Sequence, residues 1–182
     1  MKRFIPLLSL AAFALAACGG GGDTLASVKE AEQRAAARAA EAAARTETFV
    51  ADAGKREGAE TLPSGLVIEY VTRGANQSLP TPAPTSTVTV HYEGSLPNGD
   101  VFDSSFERGE PASFNLGQVV PGFTESITHM RPGDEIIATF PPELGYGAAG
   151  RPPVIPPSSP LQFRIQLLSF RGPDGRVVRA PN

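Results

Sequence analysis

The period of the apolar positions changes twice along the chain. Apolar residues run almost unbroken over residues 4–17, and over residues 23–57 Ala, Glu and Arg dominate, with no large apolar residue between Val28 and Phe49. Beyond Glu60 the period shortens to two, that of a strand with one buried face. Residues 87–92 (TVTVHY) alternate, residues 161–170 (LQFRIQLLSF) carry Leu161, Phe163, Ile165 and Leu167 on one face, and residues 66–71, 112–116 and 133–140 read as further strands. Asn98-Gly99 is a hairpin-turn signal leading into Val101-Phe102. A short helix is predicted over residues 124–130, and residues 75–86 (ANQSLPTPAPTS) form a proline-rich loop. Strands outnumber helices and no βαβ repeat occurs. The expected class is therefore α+β, an antiparallel β-sheet wrapped on one short α-helix and preceded by a long N-terminal helix.

That long helix follows from composition, since Ala, Glu and Arg are strong helix formers and Asp23 or Thr24 can cap it. Glu30 with Arg34, Glu41 with Arg45 and Asp52 with Arg56 stand four apart with the acid first, which favours a solvated helix by a few tenths of a kcal/mol per pair. Lacking a broad apolar stripe, it reads as a spacer of roughly 50 Å at ~1.5 Å per residue, or as an Ala-faced contact for a weak homodimer.

The apolar run ahead of it follows Lys2 and Arg3 and has the length of an export signal, short for a membrane span. Leu15-Ala16-Ala17-Cys18 resembles a bacterial lipobox, which makes Cys18 the lipidated residue; the alternative is ordinary cleavage after Ala17. The expected layout is a lipoprotein signal peptide over 1–17, a lipidated N-terminus, glycine linker and helix over 18–60, a folded domain over 61–171 and a flexible tail over 172–182. Such a chain is exported and lipid-anchored to a bacterial membrane, the outer membrane facing periplasm or surface.

Composition narrows the chemistry. A chain of 182 residues, 41% hydrophobic, holds one ordinary core with appendages. The net charge of -3 and the absence of a basic stripe argue against nucleic acid. One cysteine excludes an internal disulfide and a Cys-based zinc site, and two histidines, His91 and His129, are few for a metal. No cofactor or metal is expected, and both histidines read as structural or exposed.

The runs VHYEGSLPNGDVFDSSFERGEPASFNLGQVVPGF and ELGYGAAGRPPVIPPSSPLQFRIQLL closely resemble the FKBP family of peptidyl-prolyl cis/trans isomerases, which also bind macrolides. Phe102-Asp103-Ser104-Ser105, Arg108-Gly109-Glu110-Pro111, Pro121-Gly122 and the loop opening with Tyr146-Gly147 occur together and in order. The layout of signal, helix and domain is similar to that of secreted bacterial members of the Mip and FkpA type. The resemblance implies an aromatic pocket for a substrate proline or a macrolide inhibitor, with Asp103, Tyr146, Phe102 and Phe163 catalytic. Tyr92, Phe114, Val119, Val120, Phe123, Ile155 and Arg108 are implied as binding residues, Arg108 orienting Asp103. Phe123 replaces a tryptophan common in the family and Ala112 a larger residue, which implies a roomier pocket.

These residue types suit the reaction. Rotating an X-Pro bond crosses roughly 18 to 20 kcal/mol because twisting breaks amide resonance, yet no bond is made or cut. Apolar walls favour the twisted, less polar amide, and neither nucleophile nor metal is needed. Proline-containing polypeptides are the implied clients. Other readings stand beside this one: Phe102, Phe114 and Phe163 as plain core, Asp103 as a turn acid with a solvated Arg108, and the whole protein as a client-binding chaperone with incidental isomerase activity or as a structural lipoprotein.

Overall fold

The computed structural model describes residues 22–181, so the expectations for the export signal and for Cys18 lie outside the described residues. A single α-helix, α1, occupies Gly22–Gly54. The chain divides into two compact units, one ending at Arg38 and one spanning Ala39–Asn182. In the first, the side chains from Ser27 to Arg38 are exposed, and Glu30 and Arg34 form their i,i+4 pair at 3.4 Å.

In the second unit Glu41 and Arg45 pair at 2.6 Å, but the expected pair of Asp52 with Arg56 does not form. Gly54 ends α1, so Arg56 has left the helix and reaches Glu69 at 3.5 Å, while Asp52 takes Lys55 at 2.8 Å. The final turns of α1 are also more than a solvated spacer. Ala53 is only 2% exposed, and Phe49 and Val50 are half-buried. The small Ala53 side chain admits close approach that a charged surface position would prevent.

Eight strands form one antiparallel sheet: β1 Ala59–Thr61, β2 Val67–Thr72, β3 Thr87–Ser95, β4 Val101–Ser104, β5 Ala112–Asn115, β6 Glu135–Phe140, β7 Leu161–Arg171 and β8 Val177–Arg179. Their order is β1-β2-β6-β7-β3-β4, with β5 also on β3 and β8 on β7. Strand β7 pairs with β3 along its whole length, so β4 and β5 divide the opposite edge of β3 between them. Between these two strands lies a four-residue helix, α2, Ser105–Arg108. The remaining helix, α3, occupies Pro121–Thr128 and begins three residues before its predicted start, with Pro121 in the first turn where its missing N–H costs nothing.

Alternation along β7 buries Leu161, Phe163, Ile165 and Leu167. Strict alternation would then turn Ser169 inward. Instead the register against β3 slips between Thr89–Ser169 and Val90–Leu167, leaving Leu168 as an extra residue, and Phe170 becomes the buried one. The tail expected to be flexible continues from here as a hairpin. Gly175, with φ 79°, closes the turn, Gly172 donates to the Arg176 carbonyl at 2.9 Å, and β8 pairs with residues 169–171. The cause is the Asp174-Gly175 turn followed by two β-branched valines, of which Val178 packs on the core.

Phe123, Ile127 and Met130 seal the core from the α3 side. The approach is close: a Cβ on Gly122 would lie 2.7 Å from the Phe140 ring. Alanine would gain up to about 1 kcal/mol in helix propensity, but overpacking costs about 1 to 3 kcal/mol. Gly122→Ala is therefore expected to be net destabilising, read as a lower urea midpoint with an unchanged slope. A raised midpoint would show that Phe140 yields freely.

Candidate active site

The site is built outward from a buried hydroxyl. Ser105, fully buried, donates to the carbonyl of Tyr92 at 3.2 Å and accepts from its N–H at 2.8 Å, pinning the first turn of α2 to β3. His91 joins through Nδ1 at 3.1 Å and stacks on Phe106, a structural role as expected. Ser104 caps α2 by accepting from Glu107 N–H, and Gly109, at φ 72°, ends it in the left-handed region. The helix is thus just long enough to return Arg108 to the strand it left.

There Arg108 Nη1 donates to Asp103 Oδ1 at 2.5 Å, and Nη2 donates to the Tyr92 hydroxyl at 3.1 Å. The same hydroxyl donates to Asp103 Oδ2 at 2.5 Å. Burial pushes the Asp103 carboxyl up. The hydrogen bonds from Tyr92 and Arg108, with the charges of Arg108 and Arg151, outweigh burial and hold it below its ordinary value. For Tyr92 burial and the bond to Asp103 act together and raise the phenol, which keeps it a proton donor. Arg108 thus bonds both Asp103 and its partner Tyr92. Asp103 is therefore an ionised carboxylate with both oxygens engaged.

Two cavities meet beside this triad. One, of about 250 Å³, is lined by Tyr92, Phe114, Val119, Val120, Phe123 and Phe163, with Asp103, Gln118, Tyr146 and Arg151 at hand. The other, of about 400 Å³, is lined by Phe102, Pro152, Pro153, Val154 and Ile155, and again by Asp103, Tyr146 and Arg151. A larger groove of about 650 Å³ runs beside the last turns of α1, against Pro141 and Pro142, but no aromatic ring lines it.

In the first cavity the rings meet edge to face. Phe123 touches Phe163 at 5.4 Å, Phe114 at 5.8 Å and Tyr92 at 6.0 Å between centroids. Phe163 is buried and also meets Phe102 and Phe140, so it is core and wall at once. Ten of the eleven residues implied by the resemblance line one cavity or the other, and Arg108 stands behind them. Phe102 and Ile155 fall in the second cavity, not among the residues lining the first. Gln118, Arg151, Pro152, Pro153 and Val154 also line the two cavities and were not among the eleven. Neither was Gly94, where a Cβ would lie 2.5 Å from Phe102 and 2.8 Å from Phe163; a glycine inside an alternating strand was the available signal.

The loop after β6 closes the site. Arg151 and Ile155 exchange backbone hydrogen bonds at 2.8 and 2.9 Å, a turn that leaves Val154 51% exposed and Ile155 2% exposed. Glycine is required at Gly150, with φ 65°, because a Cβ there would stand 2.5 Å from the Ile155 carbonyl oxygen. The Tyr146 hydroxyl has no hydrogen-bond partner among the described residues.

Residues 80–168 match the family model of the FKBP-type peptidyl-prolyl cis-trans isomerases. The crystal structure of a peptidyl-prolyl cis-trans isomerase from Pseudomonas syringae is 32% identical, with a TM-score of 0.66, over 71% of this chain and 93% of that one. The chain belongs to the FKBP-type family. FkpA from Escherichia coli superposes with a TM-score of 0.67 at 36% identity, over 87% of this chain and 72% of that one. The isomerase Mip of Coxiella burnetii is 40% identical over 129 residues, 71% of this chain and 55% of Mip. The chain spans about half the length of the curated relatives it matches.

In this FKBP domain the Asp103 carboxylate carries a testable signature. Its folded value is depressed, so it contributes stability in full above the unfolded carboxylate value of about 3.9 and loses that contribution as pH falls through the folded value. Asp103→Asn is expected to lower the urea midpoint at pH 6, and the gap from the parent should narrow as pH falls below about 4. Other carboxylates titrate in both proteins and cancel. A gap that is constant with pH would show that Asp103 gains nothing from being ionised.

Proposed function

We propose that this protein is a peptidyl-prolyl cis-trans isomerase acting on exported, proline-containing polypeptides without covalent chemistry. One observation carries the reading: the aromatic cavity beside a rim whose carboxylate is engaged by Tyr92 and Arg108 and whose second phenol, Tyr146, bonds no described residue. A proline ring seats against Phe114, Val120, Phe123 and Phe163, and the X-Pro amide lies at the rim, largely screened from water. Apolar walls favour the twisted amide over the planar one, since its carbonyl is less polar. Tyr146 donates to a substrate carbonyl and holds the turned geometry. Asp103, ionised and held by Tyr92 and Arg108, is no general base; it fixes the wall to which Tyr92 belongs. No Ser, Cys, His or Lys lines either cavity among the described residues, and the reaction requires none.

The same pocket is proposed to take a macrolide competitively. The N-terminal part of the proposal, lipid attachment at Cys18 and export to a bacterial membrane, rests on the Leu15-Ala16-Ala17-Cys18 sequence, and a weak homodimer through α1 on its Ala-rich exposed face.

Isomer exchange in a Leu-Pro tetrapeptide, followed by NMR with and without a macrolide, tests the activity. Tyr146→Phe removes one hydrogen bond and keeps the ring, so a loss of about 0.5 to 1.5 kcal/mol, roughly 2- to 13-fold in catalytic efficiency, is expected. Complete loss of turnover in a folded variant would replace desolvation by a mechanism centred on that hydrogen bond. A parent protein that binds the peptide without accelerating exchange would be a client-binding module. For the anchor, Cys18→Ser is expected to abolish partition into the membrane fraction; a variant still recovered there would remove lipid from the account.

A further inference from the structure

The two cavities share three rim residues, and their polar groups are not equivalent. Asp103 spends Oδ1 on Arg108 and Oδ2 on Tyr92. Tyr146 and Arg151, by contrast, have side chains with no hydrogen bond or ion pair to any described residue, and Arg151 lies close enough for its charge to act on Asp103. The backbone beneath Arg151 is fixed by its two hydrogen bonds with Ile155, so the guanidinium is presented from a rigid turn. Asp103 and Arg108 neutralise each other. What remains for a ligand on this rim is a hydroxyl, a guanidinium and one uncompensated positive charge.

Resting on the isomerase reading above, we propose that Arg151 is a specificity-determining residue that selects polypeptides with a carboxylate side chain, Asp or Glu, next to the proline. A proline in the aromatic cavity must lay an adjacent residue across the shared rim toward the second cavity, because the chain continues and the rim is the boundary between the two. That residue crosses the unpaired guanidinium of Arg151 beside the Tyr146 hydroxyl. A carboxylate there accepts the fork of Arg151, a neutral side chain gains little, and an ammonium meets like charge. Gly147 and Gly150 on the loop bring no competing acid, and each oxygen of Asp103 already accepts a hydrogen bond. The protein as a whole is acidic, at -3, so a preference for acidic peptides would run against its net charge and must come from a local group.

The test compares catalytic efficiency on tetrapeptides Ala-Xaa-Pro-Phe and Ala-Leu-Pro-Xaa, with Xaa Glu, Gln or Lys, at low and high salt. At one of the two positions Glu is expected to exceed Gln by about two- to fivefold, the range for an exposed ion pair, with Lys below Gln. The ranking should flatten near 1 M salt, where screening shortens to about 3 Å. Arg151→Gln should erase the preference, bringing the Glu and Gln peptides to equal rates. Arg151→Lys should restore much of it, and Arg176→Gln, which removes the same charge from the distant β8 hairpin, should leave it intact.

Equal rates for Glu, Gln and Lys at both positions would overturn the assignment while leaving the isomerase reading in place. So would a preference that survives in Arg151→Gln. A protein that turns over none of the six peptides would overturn both.

Discussion

The structure depends on an aromatic stack held between two backbone positions that lack a Cβ. Gly122, in the first turn of α3, lies against the face of Phe140; Phe140 stacks on Phe163 at 5.7 Å with their planes 12° apart; Phe163 in turn meets Phe102, and both rings fill the space that a side chain on Gly94 would occupy. The column ties α3 to β6, β7, β3 and β4. Its outer members are cavity walls, so the forces that stabilise the core also set the shape of the site, and a cavity-forming change there costs stability as well as shape.

A second set of contacts fixes the polar groups of the rim. The Ser105 hydroxyl fixes the Tyr92 backbone, and Tyr92 and Arg108 then engage both oxygens of Asp103. The consequence is functional. An acid left free at the mouth of an apolar cavity would attract water and cations, whereas here its charge is balanced by Arg108, five residues on at the end of α2, and its other oxygen is engaged by Tyr92 on the neighbouring strand β3. Tyr146 and Arg151, on a loop held by its own backbone bonds, keep side chains that bond no described residue.

Much of this was legible in the chain. Six of the eight strands were read from the sequence, β3 and β7 through the period-two alternation that one buried face imposes and β4 through the Asn98-Gly99 turn ahead of it. The order of Phe102-Asp103-Ser104-Ser105 and Arg108-Gly109 was readable as a motif, and its physical basis is local: a cap, a clamp, a one-turn helix and a left-handed stop. β8 was missed because proximity to the terminus suggested flexibility, although Asp174-Gly175 and Val177-Val178 carried a hairpin signal. Val154 and Ile155 are alike in composition, and only the resemblance singled out Ile155. The bridge from Arg151 to Ile155 gives the physical difference, exposing one and burying the other.

The sequence by itself determined the class of the fold and the helix ahead of it, because propensity, alternation and capping act over a few residues, while the candidate site residues came from the family resemblance. Tertiary structure alone decided the rest. That Leu168 bulges, that Gly94 and Gly122 are contact positions, that Phe102 and Ile155 line a different cavity from Phe123, and that Arg56 reaches Glu69 instead of Asp52 are all outcomes of contacts between distant segments. Such contacts depend on register and on distances of a few ångströms, which no local pattern encodes.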